Sequence, residues 1–267
     1  MNRDDRIADI ADRLARAHAQ GVPVPPIAQD LGEGADVAAA YAVQERNTRL
    51  WSEAGRRLVG RKIGLTSAAV QAQLGVDEPD YGMLWADMEL ADGEEIDAGR
   101  LIAPKAEAEL AFVLSRDLSG EDCTHAEVLR AIDHVLPAIE IVDSRIADWK
   151  ISLLDTIADN ASSGLYVLGN RPVRLADVDV ARCPMEMERG GAPVASGSGA
   201  ACLGNPLVAV RWLARTMALA GRPMRAGDVV LSGALGPMVP VAAGDVLDVR
   251  IGGAGSVRAR FAPEPSG

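Results

Sequence analysis

The sequence predicts an α+β fold, with a helical N-terminal region over residues 1–57 set against a β-rich body over residues 58–267. Three observations predict it. Residues 4–20 place Ile7, Ile10, Leu14 and Ala17 on one side of a helical period. From Leu58 onward, short apolar runs are separated by Gly, Pro and Asp. After Gly221 the runs DVVLSG, MVPVAAGD, VLDVRIGG and SVRARF succeed one another between glycine turns, so the C-terminal half is mostly β.

In chain order, the first helix carries Asp4 and Asp5 at its positive end and Gly21 as its stop, and VPVPP then breaks the chain. A second helix is expected from near Asp36 through Tyr41, Gln44, Leu50 and Trp51 to Gly55. Neither has enough apolar surface to fold alone, so the pair reads as a cap. LVGRKIGLTS is expected to form a strand ending at Gly64, with a short helix over 67–74 capped from Thr66 and Ser67. Val128, Leu129, Ile132 and Val135 recur at three and four residues, which predicts a helix over 122–135 that includes His134. Asn205 as N-cap, Pro206 in the first turn and Gly221 beyond the end frame the clearest helix. No internal repeat or low-complexity tract appears.

The chain has 267 residues, 48% hydrophobic and 24% charged, which is enough for a substantial core. A formal net charge of -11, with no basic patch, argues against nucleic acid and anionic membrane surfaces as partners. Three scattered cysteines, no CxxC pair, a charged N-terminus and no long apolar run predict a cytoplasmic protein with no membrane span.

The chemistry centres on PKAEAELAFVL at 104–114. On an extended strand Glu107 and Glu109 share one face, while Ala108, Leu110, Phe112 and Leu114 fill the other. A solvated strand face would account for that pair alone. Glu140, however, sits among Val135, Leu136, Ile139, Ile141 and Val142, where an unpaired charge is costly and a partner is expected. That partner is either an internal ion pair to Arg145 or another arginine, or a cation shared with Glu107 and Glu109. An all-oxygen site of three carboxylates suits Mg²⁺ or Mn²⁺ rather than Zn²⁺. Lys62 is one of three lysines in the chain, with Lys105 and Lys150, and lies between Gly60 and Gly64, where backbone can approach a ligand closely. Asp80, in PDYG, reads first as a turn aspartate bonding nearby backbone. The small polar stretch at 159–164 suits a ligand-facing loop or an ordinary one. The glycines at 197–204 lack a Walker lysine and the dinucleotide-binding spacing, and the three histidines have no nucleophile partner.

GRKIGLT at 60–66, PDYG at 79–82, the E-x-E pair, PAIEIVDSRIADW, DTIADNASSG and SGALGP occur in the order found in the 2-hydroxypenta-2,4-dienoate (2-keto-4-pentenoate) hydratases of the fumarylacetoacetate hydrolase superfamily. From about Asp36 to Phe261 the chain resembles that family. The resemblance implies a mixed, rolled β-sandwich with an N-terminal helical cap, and Mg²⁺ or Mn²⁺ held by Glu107, Glu109 and Glu140. It also implies Lys62 beside the metal facing the substrate's oxo group, Asp80 in proton transfer, and a substrate-pocket serine, for which the NAS alignment favours Ser162 over Ser163. The implied reaction is hydration of a small-molecule 2-hydroxy-dienoate by a homo-oligomer. The alternatives are the sibling 2-oxo-3-hexenedioate (4-oxalocrotonate) decarboxylase, and a non-catalytic subunit in complex with a pathway decarboxylase or aldolase.

Overall fold

The computed structural model describes residues 2–67, 71 and 78–263. Helix α1, Arg3–Gln20, starts where Asn2 accepts the Asp5 N–H and ends at Gly21, whose φ of 66° is the left-handed stop that glycine adopts without penalty. Helix α2, Val37–Glu53, is capped by Asp36, which accepts the Ala39 N–H. Ile10 and Leu14 of α1 and Val43 of α2 bury against each other and against Ile146, Ile157 and Ala158 of the body. Of the helix expected over 67–74, only residues 67 and 71 are among those described.

The body begins with β1, Leu58–Gly64, then β2, Asp80–Trp85, and two short strands, β3, Glu89–Ala91, and β4, Glu95–Ile96. Strand β5, Lys105–Leu114, is mostly buried, Glu109 fully so, with Lys105, Glu107 and Val113 half-buried. Helix α3 spans only His125–Ala131, closed at its start by reciprocal Thr124 and Glu127 bonds. The helix expected over 122–135 is corrected here, because Ile132–Val142 forms strand β6 and carries His134. Ile132 and Val135 satisfy helical spacing but pair with Leu114 and Phe112 on β5, and this tertiary ladder overrides local periodicity.

Helix α4, Leu153–Ala158, precedes β7, Ser163–Leu168, and the hairpin β8, Pro184–Arg189, with β9, Ala192–Ser198. Helix α5, Pro206–Leu219, is capped by Asn205. Strands β10, Val229–Leu231, β11, Val239–Pro240, β12, Val246–Ile251, and β13, Gly255–Phe261, complete the chain.

Among the described residues the strands form two mixed sheets. One runs β2-β1-β10-β5-β6-β7-β3 with β11 added to β5, and the other runs β4-β13-β12-β8-β9. Strands β12 and β13 pack over β6 and β7, so both sheets close on one core containing Trp85, Phe112 and Tyr166. The fold is α+β with a two-sheet body and no closed barrel. No described helix is long and apolar enough to cross a membrane.

Candidate active site

Two hydrogen-bonded ladders bring the candidate residues together. Antiparallel pairing of β5 with β6 sets Glu107 directly opposite Glu140, and the two-residue period puts Glu109 on the same face as Glu107. One carboxylate oxygen from each of Glu107, Glu109 and Glu140 falls within 4.8 Å of the others. On the neighbouring ladder Lys62 pairs with Gly82, and Gly64 with Asp80. Lys62 is itself buried, and its Nζ lies 3.1 Å from Glu140 Oε1, an ion-pair contact without hydrogen-bond geometry. Arg145, the other partner considered for Glu140, is engaged elsewhere: its Nε donates to Asp159 Oδ1 at 2.6 Å and its Nη1 to the Ser163 carbonyl at 2.8 Å.

The acid cluster fits a divalent cation by its own chemistry. Glu109 is fully buried and its Oε2 accepts the Gly233 N–H at 2.8 Å, yet its Oε1 and both oxygens of Glu140 have no hydrogen bond. Buried carboxylate oxygens with free lone pairs, turned toward one another, are expensive unless a cation joins them. The electrostatics agree. Burial, then Glu140 and Glu107, hold the Glu109 carboxyl well above its usual range, and burial with Glu140 pushes Glu107 up as well. For Lys62 burial acts downward, but Glu140, Asp80 and the other two acids outweigh it and raise the ammonium's affinity for its proton.

Asp80 is the first residue of β2 rather than a turn residue, and it is buried. Burial pushes its carboxyl up to about 6, against the pull of Lys62, and its Oδ1 has no hydrogen-bond partner. It occupies space that only glycine at 64 leaves open, since a Cβ there would stand 2.1 Å from Asp80 Oδ1 and 3.5 Å from Lys62 Nζ. Gly64→Ala is therefore expected to displace the Asp80 carboxylate, a movable side-chain end, with melting within a few degrees of wild type and turnover down about 10²-fold. Steady-state kinetics beside a thermal melt checks this, and unchanged kcat would count against the proton-transfer role that the resemblance implies for Asp80.

The two serines part company. Ser162 Oγ lies 3.2 Å from Thr156 Oγ1, facing α4, whereas Ser163 Oγ is buried without a partner, 2.8 Å from where a Gly82 Cβ would be. The structure therefore leaves the free hydroxyl at 163, beside Gly82, the register partner of Lys62.

Apart from Ser162, the residues that hold this arrangement are not among those the sequence singles out. Asn160, Ala161 and Ser162 all have φ between 52° and 54°, a left-handed run that non-glycine residues rarely form. The Asn160 amide fixes it by accepting the Met83 N–H at 2.7 Å and donating to the Met83 carbonyl at 2.9 Å. From α2, Gln44 Nε2 donates to the Tyr81 and Ile157 carbonyls. The only sequence signal for this clamp was the polar stretch at 159–164 between apolar flanks, because torsion angles leave no trace in composition.

Comparison with known proteins adds a second line of support. The chain is 63% identical over 260 residues to a TodF product hydratase from Pseudomonas putida strain F1, covering 97% of each protein. It is 60% identical over 249 residues to 2-keto-4-pentenoate hydratase 1 of Dechloromonas aromatica, covering 93% of this chain and 94% of that one. Among solved structures, 4-oxalocrotonate decarboxylase from Pseudomonas putida G7, complexed with magnesium and adipate, superposes with a TM-score of 0.93 at 38% identity over 98% of both chains. The family model for the C-terminal region of fumarylacetoacetate hydrolase matches residues 57–262, the whole β-rich body that carries the acid cluster, and the chain belongs to that family.

Proposed function

We propose that this chain is a metal-dependent hydratase that adds water to 2-hydroxypenta-2,4-dienoate to give 4-hydroxy-2-oxopentanoate, in the catabolism of aromatic rings. The observation that carries the reading is the grouping of three carboxylates within 4.8 Å beside a buried lysine, with a buried aspartate on the neighbouring strand. The names of the relatives above point to the same reaction.

Glu107, Glu109 and Glu140 would hold Mg²⁺ or Mn²⁺. When bound, such an ion would supply Lewis-acid polarisation and a template for a 2-oxo acid. Lys62 faces the negative charge that develops on the C2 oxygen. Asp80, pushed up to about 6, can carry and release a proton near neutral pH, which suits delivery to C5 of the dienol and later proton movement as water adds at C4. The hydration is balanced: the dienol proton leaves C2–OH, one proton is gained at C5, and water contributes OH to C4 and H to C3. The free hydroxyl of Ser163 favours it over Ser162 as the serine that meets the substrate.

A second reading, decarboxylation of 2-oxo-3-hexenedioate, draws on the structural likeness to 4-oxalocrotonate decarboxylase. The proposed setting is cytoplasmic, which the three free buried cysteines support. Self-association follows from the family resemblance.

Chelator-treated protein given 2-hydroxypenta-2,4-dienoate should consume the dienol only when Mg²⁺ or Mn²⁺ is restored, and the product mass should rise by one water. Absence of that product, with CO₂ released from 2-oxo-3-hexenedioate, would replace the first reading by the second.

A further inference from the structure

We infer that Lys105, held in place by Trp149, is a substrate-binding cation that receives the carboxylate end of the substrate on the far side of the acid cluster from Lys62. This deepens the hydratase reading and rests on it for the identity of the substrate.

Strand register places the two lysines. Lys105 is two residues before Glu107, so its side chain leaves the same face of β5 as Glu107 and Glu109, about 7 Å along the strand. Lys62 pairs with Leu231, which pairs with Ala111, so Lys62 starts from the opposite end of the acid face and reaches forward to Glu140. Lys105 pairs with Val142, beyond the Glu107 and Glu140 level. The acids therefore lie between two cations. If Lys62 meets the C2 oxygen, the adjoining C1 carboxylate points toward Lys105.

The surroundings of Lys105 are built rather than incidental. Its Nζ stands 4.0 Å from the centroid of the Trp149 ring, and among the described residues it makes no ion pair. Trp149 reaches that position through two successive left-handed residues, Asp148 at φ 59° and Trp149 at φ 54°, a conformation that costs free energy for side chains of this kind. The indole Nε1 donates to the Ala103 carbonyl at 2.8 Å. Asp143, just past β6, accepts the N–H groups of both Ile102 and Ala103. Val24, from the segment after α1, bonds to the Arg145 carbonyl and the Ala147 N–H, anchoring the approach to Trp149. Three separate contacts thus fix an aromatic face beneath one ammonium and leave that ammonium without a carboxylate. An anionic substrate must also enter a site holding Glu107, Glu109, Glu140 and Asp80. Lys62 and a divalent cation leave part of that charge uncompensated, and Lys105 supplies the next positive charge on the same face.

The test uses full-length protein loaded with Mg²⁺ and two probes, 2-oxopentanoate and its neutral amide, 2-oxopentanamide, with binding measured by calorimetry. Wild type should prefer the acid. In Lys105→Met that preference should shrink about 10-fold or more, as expected for a lost charge-assisted contact, while Lys105→Arg should recover part of it. Lys150→Met, which removes an exposed lysine paired with Asp148, should keep the wild-type preference. In turnover, the Lys105→Met defect should fall mainly on KM. An unchanged acid-to-amide ratio in Lys105→Met, an equal loss in Lys150→Met, or no acid binding by loaded wild type overturns the inference; should Lys105→Met fail to fold, Lys105→Gln serves in its place. If the ratio collapses as expected but wild type does not hydrate the dienoate, Lys105 stands and the hydratase reading falls.

Discussion

Glu109→Gln protein is expected to fold, to lose Mg²⁺ binding by at least ~100-fold and to lose turnover by on the order of 10³-fold, since several kcal/mol of stabilisation pass through that ion. The substitution keeps shape and keeps an acceptor for the Gly233 N–H, but removes one buried negative charge from a group of three. Because the wild-type carboxylates repel one another when no cation is present, metal-free Glu109→Gln should melt at the same temperature as metal-free wild type or a few degrees above it. Wild type should gain about 5 to 10 °C when Mg²⁺ is raised to ~100 times its dissociation constant, through binding linkage, and the variant should gain almost nothing. Thermal melts with chelator and with Mg²⁺, beside calorimetric titration, separate the two effects. Wild-type Mg²⁺ affinity in Glu109→Gln would dismiss the three-carboxylate site.

Lys62→Met should produce the opposite pattern in the metal-free protein. Lys62 and Glu140 are both almost completely buried, and deleting one partner leaves the other charged and unpaired at a cost of about 3–5 kcal/mol. For a chain of this size that is a fall of roughly 10 °C in the metal-free melt. Added Mg²⁺ should return much of it, because the ion then faces Glu140 in place of the ammonium. Turnover should remain at least ~10²-fold below wild type even with saturating metal, since on the proposed mechanism the C2 oxygen would have lost its fixed cation. Stability that recovers with metal while kcat does not would separate the structural role of Lys62 from its catalytic one; full recovery of kcat would remove the catalytic role.

What the sequence made legible was whatever local pattern alone decides. Asn205 and Pro206 begin α5 because cap and first-turn chemistry are local. The E-x-E pair shares a face because strand side chains alternate, and Glu140 stood out because its neighbours are apolar. The reading of 122–135 as one helix failed because Ile132 and Val135 fit either period, and the partner that decides between them, β5, lies elsewhere in the chain. Asp159 as the partner of Arg145, the left-handed run at 160–162 and the Asn160 clamp on Met83 were illegible for the same physical reason: each is set by long-range contacts or by torsions that many sequences could adopt.

The parallel union of β1 with β10 sets a schedule as well as a geometry. It joins Lys62 to Leu231, roughly 170 residues apart, and β10 in turn lies against the glutamate strand. During synthesis the three acids emerge long before the segment that sets Lys62 beside them, and Gly233, which anchors Glu109, emerges later still. At ≈ 5–20 residues per second, the emerging chain carries its acidic strands for several seconds without their counter-cation. Activity is thus a late arrival, and refolding experiments should find secondary structure restored well before the first turnover.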